Sequence, residues 1–453
     1  MKLRYSVIGV TTVLALLTGC STAPSTKGNG NSGDQSTNQL ASDTSIIDHA
    51  KQFKGDSLRI MMPEPLDKWF AAGTKTFEKE TGVNVNFEVT PFDQLLAKYS
   101  TLAVGQDSSV DMFYSWSGIT AQMGPLLFED LTTKLKTLSK EYTPGSLSAM
   151  QSDGVTYGLP YMTSIQIMYY NRNLFKAAGL DPDTPPTTWG DFVTAAKAIT
   201  ATGNGVSGFV TGGQTANDVF AGLWLPAFNS AGGSMYASKL HKVTINSPEG
   251  LRALQALSDL GASGAVTPQT WSNNGSQDAA ISFARGKVGM TFNFPLAYPI
   301  IADPAQSKLS LKDLGMALIP GVTVKSGSVD GSEGFAINRS SKNKSLSLDY
   351  LAYITGPTVQ KELALGTIKT IPSRSSLLED SQVVRAIPAA PFERKQAVFP
   401  ADRAGSPFYN DVAEAVAASV RKVMQHGADP KSTLSEMQSS IQKIADDYWS
   451  RNG

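Results

Sequence analysis

Apolar positions change period several times along this chain, and each change marks an element. Leu58 to Met62 is a short apolar run, the pattern of a strand covered on both faces. Leu66, Trp69, Phe70, Gly73 and Phe77 then recur at helical spacing, and Gly82 supplies a stop. From Val83 the period falls to two: Val83, Val85, Phe87 and Val89 face one way, Asn84, Asn86 and Glu88 the other. Leu95, Leu96, Tyr99, Leu102 and Ala103 share one helix face, and Val110 to Tyr114 is a further apolar strand. The order βαβαβ predicts a mostly parallel sheet with covered faces, which takes ligands beyond the carboxyl ends of its strands. Glu64 and Trp116 lie just past two such ends.

Towards the C-terminus, Val412, Val416, Val420 and Val423 form one stripe within residues Tyr409 to Met424. Asp429-Pro430 has the form of an N-cap followed by proline at the first helical position, and Leu434, Met437, Ile441, Ile444 and Tyr448 continue as a second stripe. Both stripes predict helices packed on a core.

The first residues are of another kind. Lys2 and Arg4 precede an apolar run from Val7 to Leu17, which is too short to span a bilayer as a helix and has the form of an export signal. It ends in Leu17-Thr18-Gly19-Cys20, which resembles the bacterial lipobox, so residues 1–19 are expected to be removed and Cys20 acylated. Cys20 is the only cysteine of 453 residues, which excludes an intramolecular disulfide. Several acyl chains together hold more firmly than one. Ser, Thr, Asn, Gly and Gln dominate the following stretch, so residues 20–50 are expected to form a lipidated flexible tether. Gly28, Gly30 and Gly33 match G-x-G-x-x-G there, but no strand precedes and no helix follows, so the match is read as chance.

About 400 residues remain, more than one hydrophobic core usually serves, so two lobes are expected. Lysine plus arginine equals aspartate plus glutamate at 39 each, a balance that points to neither nucleic acid nor a basic membrane-hugging face. No second apolar segment is long enough to span a bilayer.

Specific motifs then carry a resemblance: Phe77-Glu78-Lys79-Glu80-Thr81-Gly82-Val83 and Asp153-Gly154-Val155-Thr156-Tyr157-Gly158-Leu159-Pro160-Tyr161. They are followed by Tyr170-Asn171-Arg172-Asn173-Leu174-Phe175, Ala177-Ala178-Gly179-Leu180 and Thr188-Trp189-Gly190-Asp191-Phe192. Gly286-Lys287-Val288-Gly289-Met290 and Gly334-Phe335-Ala336-Ile337 complete the set. In this order they resemble the family-1 extracellular solute-binding proteins, the maltose-binding-protein-like sugar binders of ABC transporters, from about Leu58 to the C-terminus.

The resemblance implies an α/β, two-lobed periplasmic-binding-protein fold (type II-like), with a ligand cleft between the lobes and three hinge crossings. By similarity the N-lobe combines residues 57–163 and 334–382, and the C-lobe residues 166–330 and 385–453. The crossings fall near Thr163 to Ile165, Asp330 to Glu333 and Gln382 to Arg385. It further implies a monomer that delivers solute to the permease subunits of a transporter, without cofactor or metal.

A sugar presents apolar C–H faces and a rim of hydroxyls, so its site needs aromatic platforms and polar side chains together. By the same resemblance, Glu64 sits in a ligand-touching loop, and Ser115 and Trp116 follow a strand that presents a group to the cleft. Ser164 stands at the first crossing, where relatives carry a carboxylate. Trp224 resembles a residue of a site-lining C-lobe loop, with a core tryptophan as the rival reading. In Met290 to Tyr298, Leu296 stands where relatives carry a stacking tryptophan, which leaves Phe294 or Tyr298 to supply the platform. Glu333 offers a carboxylate or merely forms a hinge turn. Arg374 belongs to a loop near the cleft or to a structural ion pair, and Tyr409 matches a stacking aromatic.

Two other classes compete. A secreted glycosidase needs two facing carboxylates. The only histidines are His49, His241 and His426, without metal-type spacing, and Cys20 is consumed by lipidation, so no triad or thiol nucleophile is supported. A scaffold or adhesin needs no cleft. Among solutes, polyol phosphates are the alternative to mono- or oligosaccharides.

Overall fold

The computed structural model describes residues 42–237 and 240–452. The export signal 1–19, Cys20 and the tether up to residue 41 lie outside the described residues.

Two sheets organise the chain. The first has six strands: β1 (Ser57–Met62), β2 (Asn84–Val89), β3 (Met112–Trp116), β6 (Gly158–Thr163), β11 (Glu333–Ile337) and β12 (Ile371–Pro372), in the order β12-β6-β11-β3-β1-β2. β1 lies parallel between β2 and β3, as the βαβαβ pattern requires. The crossover helices are Leu66–Thr81 and Leu95–Gly105, the first ending at Gly82 with φ +75°, a left-handed conformation that suits glycine. β2 is an edge strand, and its alternating apolar side chains are only half-buried. The last strand of the unit runs two residues later than the apolar run suggests, so that Trp116 is its final residue.

The second sheet has four strands: β7 (Ile167–Asn171), β8 (Ser207–Val210), β9 (Val288–Asn293) and β10 (Leu314–Ala317), in the order β10-β7-β9-β8. A separate hairpin, β4 (Gln151–Ser152) and β5 (Val155–Thr156), precedes β6. Each sheet has its own core. Phe70, Phe77, Tyr99, Phe113 and Tyr350 belong to the first. Phe192, Phe209, Trp224, Phe292 and the valine stripe of helix Tyr409–His426 belong to the second. Helix Pro430–Asn452 closes the second lobe, and the Asp429 carboxylate accepts a bond from the Ser432 N–H at 2.8 Å at its start.

The chain passes from the first sheet to the second between Thr163 and Ile167 and returns between Ala317 and Glu333. The two passages touch through a bridge between Ile165 and Asp330. The chain leaves the first sheet again after β12 and reaches the second core at helix Tyr409–His426, and the stretch where a third crossing is expected is helical, Ser381–Ala386, followed by Ala390–Gln396. Val383, Ile387 and Ala390 join Tyr169 of β7 and Ile371 of β12 in one apolar cluster, so burial draws this segment into helices under both lobes.

The tether reaches less far than residue 50. Residues Asp43–Ala50 form a helix with a capping box between Ser42 and Ser45. Its buried Ile46 and Ala50 pack on helix Lys344–Ile354, where the His49 ring meets the fully buried Asp349 carboxylate at 2.7 Å. A polar segment with so few apolar residues gives little periodic signal, and its order comes from this docking.

Candidate functional site

The carboxyl ends of the parallel strands identify where the two lobes present side chains. On the first sheet, β2 leads to Phe92, β1 to Glu64 and β3 to Trp116. The antiparallel β11 begins at the same edge, with Glu333 directly paired to Trp116. On the second sheet, β8 leads to Thr211 and Gly212, β9 to Phe294, and β7 begins after Gln166. A small space at the strand ends of the second sheet is lined by Gln166, Thr211, Gly212, Asn217, Asp218, Ser276, Phe294 and Arg403.

Trp116 is the point at which the lobes meet. Its indole folds over the start of helix Ser117–Leu127, where a Cβ on Gly118 would come within 2.2 Å of the ring. The ring packs edge-on against Tyr409 at 5.4 Å, and the Arg403 guanidinium lies over it at 4.6 Å. The Tyr409 hydroxyl donates to Asn217 Oδ1 at 2.8 Å, which connects the platform to the second lobe's helix start. Trp116 Nε1, Arg403 Nε and Gln166 Oε1 are buried here without a hydrogen-bond partner among the described residues. Leaving such groups unpaired costs about 1–3 kcal/mol each, which a polar solute that reaches them offsets. The space beside Gln166 and Arg403 is only about 40 Å³, room for a water or two, so a larger solute enters only when the elements around it move apart.

A larger cavity of about 360 Å³ lies on the other side of Arg403, lined by the β4 hairpin, helix Ser117–Leu127, Tyr236, Asp330 and the loop 401–405. It is not bounded by the strand ends of the second sheet. The topology therefore favours the smaller space as the solute site.

Glu333 is half-buried and accepts a bond from the Tyr161 hydroxyl at 2.5 Å. Burial holds its carboxyl above the usual range, against the lowering effect of the Tyr161 and Tyr114 hydroxyls. Behind it stand two more acids. Asp330 accepts from the Ser332 N–H at 2.7 Å, and Glu393 from the Ile165 N–H at 3.2 Å. Burial raises Asp330 and raises Glu393 well above its ordinary value, where the Asp330 charge adds to the effect. Glu393 therefore holds its proton in the folded state at pH values where the unfolded chain has lost it. Its stabilising effect is complete below the unfolded glutamate pKa, about 4.3, and is lost as pH rises through the raised folded value. Relative to Glu393→Gln, the wild type is expected to lose up to about 1.4 kcal/mol per pH unit between the unfolded value and the raised folded one. Urea unfolding of both proteins at pH 5 and pH 7 measures this, and parallel pH curves would contradict it.

The other expected site residues separate into two groups. Trp116, Phe294, Glu333 and Tyr409 come together around Arg403 and Gln166, and Phe294 packs on Gly331 at the second passage. Glu64 is exposed at its strand end. The remaining five expected residues lie elsewhere. Trp224 is fully buried, stacked on Phe228 at 4.8 Å with its N–H on the Met235 sulfur, so it is a core residue. Arg374 is buried over the Tyr142 ring at 4.4 Å and paired with Glu141, with Nε on the Thr355 carbonyl, so its donors are committed within the first lobe. Ser115 is fully buried, its hydroxyl bonded to Thr120 at 2.8 Å. Ser164 lies in the hinge with its backbone bonded to Ser332 and Gly331, and its exposure is 7%. Tyr298 packs on the cluster beneath both lobes and lines neither cavity.

Sequence reasoning missed Arg403, Gln166, Asn217 and Asp218. The only local signal was a lone arginine in the turn-rich Asp402-Arg403-Ala404-Gly405 before a helix.

Comparison with known proteins agrees with this architecture. The model of the family described as bacterial extracellular solute-binding protein matches residues 72–391, and the chain belongs to that family. A probable ABC transporter-binding protein of Deinococcus radiodurans is 27% identical over 398 residues, 83% of this chain and 90% of that one. An sn-glycerol-3-phosphate-binding periplasmic protein of Brucella abortus is 37% identical over 129 residues, 27% of this chain and 29% of its own length. Among solved structures, maltose-bound MalE3 of T. maritima superposes with a TM-score of 0.73 at 19% identity, covering 86% of this chain and all of that one, a likeness of fold. No helix among the described residues is long and apolar enough to cross a membrane.

Proposed function

We propose that the chain is the solute-binding component of an ABC importer, anchored outside the cytoplasm through acylated Cys20, and that it carries a sugar to the permease. The lobes separate to admit the sugar, close so that Trp116 covers one face of the ring, and pass the closed complex on. The observation that carries this reading is the set of unpartnered buried groups at the lobe junction, Trp116 Nε1, Arg403 Nε and Gln166 Oε1, beside an aromatic platform. Donors and an acceptor next to a ring are what a polyhydroxylated ring requires. Glu333, which accepts from the Tyr161 hydroxyl, adds a carboxyl beside the platform.

Arg403 supports a second reading, a polyol phosphate, since its guanidinium adds a cation to the site. A thermal-shift and calorimetric panel of monosaccharides, oligosaccharides and glycerol 3-phosphate tests both. A ligand at a hundred times its dissociation constant adds about 2.7 kcal/mol to stability. The sugar reading expects saturable binding of a saccharide without hydrolysis. Binding of glycerol 3-phosphate alone replaces it with the second reading, and hydrolysis contradicts both.

A further inference from the structure

We propose that the solute is an oligosaccharide, held along the first lobe by a second aromatic platform, Phe92, two strands away from Trp116. The inference rests on the sugar-binding reading above and specifies the length of the sugar.

Phe92 opens a single helical turn, Phe92–Gln94, directly after β2 and Thr90-Pro91. It is 56% exposed, the most exposed aromatic among the large apolar side chains that face solvent in the described residues. Its ring contact runs towards the site: it meets Tyr114 of β3, two residues before Trp116, edge-on at 6.3 Å. Position adds to exposure. The strand order β11-β3-β1-β2 places Glu333, Trp116, Glu64 and Phe92 at the same edge of four neighbouring strands. Carboxylate and ring therefore alternate across the lobe, and Glu64 is exposed between the two rings.

Neighbouring strands lie about 4.8 Å apart, so Phe92 and Trp116 are separated by roughly 10 Å at the backbone. One strand interval is close to the length of a pyranose unit in a linear glycan. A chain lying along this edge sets one ring on Trp116, carries the next unit past the Glu64 carboxylate and sets a further ring on Phe92. Each ring buries C–H faces, and each carboxylate accepts hydroxyl protons. A monosaccharide on Trp116 does not reach Phe92.

Titration calorimetry with glucose, maltose and maltotriose, and with xylose, xylobiose and xylotriose, tests the inference on wild type, Phe92→Ala, Phe92→Tyr and Trp116→Ala. The wild type is expected to gain affinity with length in one series. In Phe92→Ala the ratio of trisaccharide to monosaccharide affinity is expected to fall about tenfold, and Phe92→Tyr to restore it. Because Phe92 is mostly exposed, unchanged circular dichroism and melting temperature are expected in both variants. A ratio within twofold of wild type in Phe92→Ala, or affinity independent of length in the wild type, overturns the inference and leaves the sugar reading in place. If no saccharide of either series binds the wild type, the sugar reading fails and the inference with it.

Discussion

Trp116→Ala is expected to weaken solute binding about a hundredfold or more. A hundredfold loss is roughly 2.7 kcal/mol, within the range found when a central aromatic anchor is truncated. Three losses combine: the stacking surface, the indole N–H that has no protein partner, and the ring on which Arg403 rests. Loss of the ring also frees the Arg403 guanidinium, whose Nη1 donates to the Asp330 carbonyl at 3.3 Å and ties it to the hinge. Trp116→Phe separates these contributions. It keeps a platform but removes the N–H, and roughly a tenfold loss is expected from one hydrogen bond to an uncharged group. Calorimetry on the three proteins measures the series. Equal affinities for alanine variant and wild type would remove Trp116 from the site.

The second large effect is on folding. Trp224→Ala is expected to destabilise the protein by about 3–5 kcal/mol, the cost of removing a large aromatic side chain from a packed interior. Trp224 is fully buried, stacked on Phe228, and its N–H donates to the Met235 sulfur at 3.4 Å. Where the variant remains folded, its affinity for solute is expected to stay within a few-fold of wild type. Urea unfolding followed by calorimetry at low temperature checks both statements. A large loss of affinity with little loss of stability would return Trp224 to the site.

These two tryptophans show what a sequence conveys and what it conceals. Trp116 was recognisable because the βαβαβ pattern fixes where a strand ends, and residues at carboxyl ends of parallel strands face the ligand side. Trp224 lacks such a frame. Paired glycines follow it and suggest a loop, yet all residues from Phe220 to Ala231 are buried, and the apolar run from Phe220 to Phe228 has faces that periodicity cannot assign. Arg374 illustrates another limit. Its place after Ile371-Pro372-Ser373 leaves it between a cleft loop and a structural ion pair, and only the fold brings the distant Tyr142 ring and the Glu141 carboxylate to it. Arg403 was overlooked for the opposite reason, since its significance comes from Trp116, 287 positions away in the chain but in contact in space.

The same contrast holds for the elements. Helices Leu66–Thr81 and Tyr409–His426 follow their stripes because each buries one face on a sheet or helix layer. Helix Asp43–Ala50 escaped because its stability lies in capping and in docking on helix Lys344–Ile354, neither of which a short polar segment displays. It also changes the picture of the tether, whose root is fixed to the first lobe by the contact of His49 with Asp349. Residues 381–396, in the region of the third crossing, form two helices because an apolar cluster that takes residues from both sheets buries one face of them.

Small-angle scattering of the wild type, with and without the saccharide that gives the largest thermal shift, tests most directly whether two lobes shut on a solute. The account predicts a smaller radius of gyration on saturation, and no such change in Trp116→Ala at the same concentration. Identical profiles for the free and saturated wild type, with calorimetry registering binding in the same samples, would contradict it.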